Sequence, residues 1–130
     1  MIPEIGHIFL VISLVLSLTG GLGAFVLKRE LPLLKVSFIL SLLVVGSLFA
    51  LIYSFVVDDF SVAYVAQNSN INLPMYYKFA ATWGAHEGSL ILWILSMSVW
   101  LLAFVFFDKT RNTNFSNYVF GVCCLVIFSF

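Results

Sequence analysis

Three stretches of this chain stay apolar, with no formal charge, for 19 residues or more, and polar clusters separate them. They cover residues 5–27 ("IGHIFLVISLVLSLTGGLGAFVL"), 36–57 and 89–107. A helix rises about 1.5 Å per residue, so about 20 residues cross a hydrocarbon core of roughly 30 Å. Each stretch therefore predicts a membrane-spanning helix. A fourth apolar stretch, residues 118–130 ("YVFGVCCLVIFSF"), would make only about 20 Å of helix and reads as the start of a fourth span. The pattern predicts an all-α, polytopic transmembrane protein, with residues 1–130 forming the N-terminal part of one larger transmembrane domain.

Composition agrees. The chain is 62% hydrophobic and 9% charged, whereas water-soluble domains carry about 25% charged residues. A net charge of zero offers no basic surface to nucleic acid and no acidic face to a cationic partner, which leaves the lipid bilayer as the first partner. A cleaved signal peptide does not fit the first span. No basic residue precedes it, Glu4 is the charge there, and the run exceeds a usual apolar signal segment.

Lysine and arginine set the expected orientation. The 28–35 loop carries Lys28, Arg29 and Lys35, and the 108–117 loop carries Lys109 and Arg111. The longer 58–88 connection has Lys78 alone against Asp58, Asp59 and Glu87. Cytoplasmic loops are the lysine- and arginine-rich ones. The N-terminus and loop 58–88 are therefore expected outside, and the other two loops in the cytoplasm.

The external segment is rich in Phe60, Tyr64, Tyr76, Tyr77, Phe79 and Trp83, residues that settle at a membrane–water boundary. A polar turn cluster, "QNSNINLP", interrupts it. The expectation is an interfacial or extended stretch, a turn, and an amphipathic approach to the third span. That approach ends in "TWGAHEG". A third helix beginning near Trp83 would align Gly84 with Gly88 as a G-x-x-x-G pair and Ala81, Ala85 and Ser89 as a second ridge of small residues, a surface for close helix packing. Glu87 would sit in the first turn, where a carboxylate favours the helix dipole by about 0.3–1 kcal/mol. His86, Trp93 and Trp100 recur every seven residues and share one face, fit for a planar ligand or a neighbouring helix.

Other chemistry is sparse. His7 and His86 are the two metal candidates, outer-leaflet imidazoles of the kind that ligate haem iron axially, with packing or hydrogen bonding as the competing role. No C-x-x-C or H-E-x-x-H spacing occurs, and Cys123–Cys124 reads as apolar filling. Gly20 to Gly23, "GGLG", lies inside an apolar run and predicts close packing or a kink rather than a nucleotide loop. No span holds an acidic residue, which argues against a proton-driven transporter. A small multi-helix transporter or channel component, or a structural assembly subunit, is the alternative class.

The run "DDFSVAYVAQNSNINLPMYYKFAATWGAHEGSLILW", with the opening "MIPEIGH", resembles the N-terminal region of the CcmF/NrfE-type subunit of the bacterial cytochrome c haem lyase. The resemblance implies an inner-membrane protein that attaches haem covalently to apocytochrome c on the external face. It also implies a haem b of its own, and as partners a haem-delivering chaperone, apocytochrome c and the subunit that holds it. The family's haem-handling residues have no counterpart in these positions, so no catalytic residue is expected here. Trp83, Gly84, His86, Glu87, Gly88 and Trp93 are carried over as a packing motif or the edge of a haem or partner surface.

Overall fold

The computed structural model describes residues 2–26, 33–108 and 114–129. Lys28, Arg29, Lys109 and Arg111, on which much of the expected orientation rests, lie outside them. The described chain is helical: α1 (Ile2–Val26), α2 (Leu33–Val56), α3 (Ala63–Asn68), α4 (Met75–Gly84), α5 (His86–Phe107) and α6 (Asn114–Ser129). Helices α1, α2 and α5 are long and apolar enough to cross a membrane; α6 is apolar but shorter. The membrane helices thus begin a few residues before the apolar stretches do, because flanking residues such as Lys35 and His86 join their first turns.

The long helices form a ring in which α1 packs on α2 and α6, and α5 packs on α2 and α6. In lipid the hydrophobic effect does not draw helices together, so close approach and hydrogen bonding must do so. Small residues provide the approach. A methyl group placed on Gly6 would lie 2.7 Å from the Ala50 Cβ, and one on Gly21 would lie 2.9 Å from Leu125. The "GGLG" run therefore packs α1 onto α6, within an unbroken helix. At the centre, Leu40, Leu101, Val105, Phe120 and Cys124 are almost fully buried, which makes Cys124 apolar filling.

Buried serines line the same seams. Ser17, Ser37, Ser47 and Ser54 each donate to a carbonyl of their own helix, so burial strands none of their hydroxyls. Ser41 differs, donating 3.0 Å to the backbone carbonyl of Ser98 and thereby tying α2 to α5.

The connection between α2 and α5 is more ordered than its composition suggests. Asp58 adopts a left-handed conformation, φ 55°, which turns the chain back at the end of α2; Asp tolerates that region better than most residues. The Asp59 carboxylate then accepts bonds from the Ser61 N–H and hydroxyl, at 3.2 and 2.5 Å. The expected interfacial or extended stretch is partly the short helix α3, and the amphipathic approach is α4, which packs against both α2 and α5.

Candidate functional site

The "TWGAHEG" motif is a junction between two helices. Helix α4 ends at Gly84 and α5 starts at His86, with Ala85 extended between them at φ −118°, ψ 178°. The expected helix start near Trp83 is therefore corrected. Gly84 and Gly88 fall on different helices, as do Ala81 and Ser89, so neither small-residue ridge exists as a continuous packing surface. A methyl on Gly84 would meet nothing within 4 Å.

The break carries a cost that the sequence around it does not meet. A helix leaves its first N–H groups and last carbonyls without partners, and Ala85 has no side chain to cap α5. The first intrahelical bond of α5 runs from the Ser89 N–H to the Ala85 carbonyl, 3.2 Å, so the Gly88 N–H needs a partner from elsewhere. Tyr64, on α3, provides it. Its hydroxyl accepts the Gly88 N–H at 3.2 Å and donates to the Thr82 carbonyl at 3.2 Å. One hydroxyl thus satisfies one N–H at the start of α5 and one carbonyl at the end of α4.

Gly88 is glycine because of this splice. A Cβ there would lie 1.7 Å from the Thr82 carbonyl oxygen and 2.7 Å from the Tyr64 hydroxyl. Tyr64 is held in turn by its ring, which meets Phe55 edge-on with centroids 5.4 Å apart. Phe55, Val65 and Thr82 are fully buried around it. Replacing Tyr64 by Phe keeps that ring contact and removes both bonds. We expect the variant to lose about 1–3 kcal/mol of stability, the usual cost of stranding buried polar groups, with faster hydrogen exchange at the Gly88 amide. Unchanged stability and exchange would show that the hydroxyl splices nothing.

A second tie anchors the other end of α4. Lys78, 7% exposed, forms an ion pair with Asp58 just beyond α2. The second carboxylate oxygen of Asp58 is buried with no hydrogen-bond partner among the described residues, so Lys78 is the group that compensates its charge. The sequence signal for this pair is faint: Lys78 is the one cation in the segment and Asp58 one of its three carboxylates.

The other carried-over residues lie on the surface of the junction. Trp83 is 42% and Trp93 57% exposed, and His86 and Glu87 are exposed with Glu87 in the first turn of α5. Glu87 also borders a crevice of about 300 Å³ between α1, α5 and α6, formed mainly by Leu10, Leu90, Ile94 and Ile127. His7 lines a different cleft, of about 140 Å³, with Ser47, Ser54 and Ile91 but without His86. The two histidines expected as metal candidates therefore lie on different surfaces of the described residues. No group of three metal-ligating side chains occurs among the described residues.

Related proteins put this junction in context. No protein-family model matches the chain, and no solved structure does. Among curated proteins, the chain is 39% identical over 138 aligned positions to the cytochrome c-type biogenesis protein NrfE of Haemophilus influenzae, an alignment that takes in all of this chain and 21% of the relative. It is 44% identical to the cytochrome c-type biogenesis proteins CcmF of Escherichia coli and of Pseudomonas aeruginosa, each across 84% of this chain and 18% of the relative. The chain belongs to the CcmF/NrfE family of cytochrome c-type biogenesis proteins. It spans about a fifth of the length of these relatives. As a member of that family with three helices able to cross a bilayer, it is a membrane protein. The spliced junction is where the motif shared by the resemblance, "VAYVAQNSN" with "TWGAHEGSL", becomes three-dimensional: Tyr64 comes from the first part, Thr82 and Gly88 from the second.

Proposed function

We propose that this chain is membrane scaffold for a haem lyase that joins haem covalently to apocytochrome c on the external face of the bacterial inner membrane. The observation that carries the reading is 39–44% identity along 84–100% of the chain to proteins named for cytochrome c biogenesis. In this reading the whole protein takes haem from a delivering chaperone, receives apocytochrome c from a holding subunit, and keeps a haem b of its own on ligands outside the described residues. Thioether formation requires two thiols and a haem edge to be brought into one geometry, and a rigid support lowers the entropic part of that barrier.

The role of these residues is to build that support. Tyr64, Thr82 and Gly88 fix the angle between α4 and α5, and the Lys78–Asp58 pair fixes α4 to the end of α2. His86 and Glu87, exposed at the start of α5, then belong to the surface that faces haem or a partner. The lysine and arginine distribution supports placing this junction outside, since the one cation in residues 58–88 is ion-paired while five lie in the other two loops.

The test is a strain lacking the gene, with covalent haem followed by peroxidase staining of denatured membranes. The intact coding sequence should restore stained c-type cytochromes, and residues 1–130 alone should not. Normal staining in the strain without the gene would refute the reading.

A further inference from the structure

Helix α4 is inside out for a protein in water. Its two buried side chains are Lys78 and Thr82, one turn apart. Its exposed ones are Met75 at 58%, Tyr76 at 70%, Tyr77 at 57% and Trp83 at 42%, with Phe79 beside them. Lys78 is the only charge on the helix and faces inward onto Asp58, so the outward face is neutral as well as aromatic.

The ties already described place that face. The Lys78–Asp58 pair holds α4 to the residue two past the end of α2, and the Tyr64 splice holds its other end to the first turn of α5. Both points are ends of apolar spans, so α4 sits at the level where hydrocarbon gives way to headgroups. Near those ends the spans also expose apolar and aromatic side chains, Tyr53 on α2 and Leu92 and Trp93 on α5.

We propose that α4 lies in the plane of the bilayer interface, with Tyr76, Tyr77, Phe79 and Trp83 seated among the lipid headgroups and glycerol backbones. Tyr and Trp combine an apolar ring with a polar tip, which suits a layer that is apolar below and wet above. An interfacial helix of ordinary kind keeps its charges toward water; here the fold takes the one charge inward instead, and the protein supplies its counter-ion. The consequence is mechanical. The α4–α5 junction, and with it His86 and Glu87, is held at headgroup depth by lipid on one side and the Tyr64 splice on the other.

Spin-label accessibility in nanodiscs of phosphatidylcholine and phosphatidylglycerol tests this on the full chain, with Cys123→Ala and Cys124→Ala removing the native thiols. Labels would be placed by Tyr76→Cys, Phe79→Cys and Trp83→Cys, three separate exposed sites, with Asn70→Cys as a polar-turn reference and Val99→Cys as a mid-span reference. The three α4 sites should show higher oxygen and lower nickel-chelate collision rates than Asn70, and less of that shift than Val99. Nickel access equal to that at Asn70 would place the face in water. Shielding from both reagents would place it against protein. Either result overturns the proposal.

Discussion

Gly88→Ala should be among the most damaging single-methyl changes in this protein, while Gly84→Ala, four residues earlier, should be harmless. The new Cβ at residue 88 would stand 1.7 Å from the Thr82 carbonyl oxygen. That atom is backbone, so no rotamer change relieves the clash. Relief requires α4 to move away from α5, which breaks both bonds to the Tyr64 hydroxyl at 3.2 Å. Overpacking of well-packed sites costs about 1–3 kcal/mol and sometimes more; with the splice lost as well, we expect about 3 kcal/mol or above. Residue 84 has open space around its Cβ position and no positive φ. Alanine there should be neutral or add up to about 1 kcal/mol through its better helix propensity. Thermal unfolding of both variants in the same detergent measures the contrast. Equal midpoints would mean that α4 and α5 do not meet as described.

The second large effect concerns the ion pair under α4. Lys78→Met should destabilise by about 2–4 kcal/mol, because it leaves the Asp58 charge in a place with little water and no other hydrogen-bond partner on one oxygen. Asp58 keeps about a fifth of its side chain exposed, 21%, which is why the expected loss stops short of that for a fully enclosed pair. Adding Asp58→Asn should recover most of it. Asparagine accepts the left-handed backbone that Asp58 adopts, and a neutral amide has no charge to strand. The comparison is a double-mutant cycle read from unfolding midpoints. A double variant as unstable as Lys78→Met alone would show that the lysine acts through packing of its stem rather than through its charge.

The spans were legible because their signal is length: an unbroken apolar run of 19 residues or more has few other fates. The close seat of "GGLG" was legible for a similar reason, since a glycine cluster inside such a run leaves few uses besides packing or bending. The break at Ala85 was not. "FAATWGAHEGSL" contains no proline and no Ser, Thr, Asp or Asn directly before His86, so the start of the third helix was read near Trp83, and Gly84 was read as a packing glycine rather than as the end of α4. What bridges the break is a hydroxyl from 24 residues before Gly88, on a side chain that composition groups with the boundary aromatics. Burial separates Tyr64 from those aromatics, and burial is a tertiary fact. The Lys78–Asp58 pair was hidden in the same way, because counting charges along a loop says which side of a membrane it favours and nothing about which charges meet. The packing or haem-partner roles expected for Trp83, His86, Glu87 and Trp93 came from helix spacing and from the resemblance, and the fold adds that these side chains are exposed.

If the chain is the scaffold proposed above, covalent haem attachment depends on the Tyr64–Gly88 splice. The most direct measurement is covalent haem in c-type cytochromes, by peroxidase stain, in cells whose only copy of the gene carries Gly88→Ala or Gly84→Ala, with the protein's membrane level followed by immunoblot. Gly84→Ala should stain as wild type, and Gly88→Ala should lose most of the stain. Wild-type staining with Gly88→Ala at normal protein level would contradict that dependence.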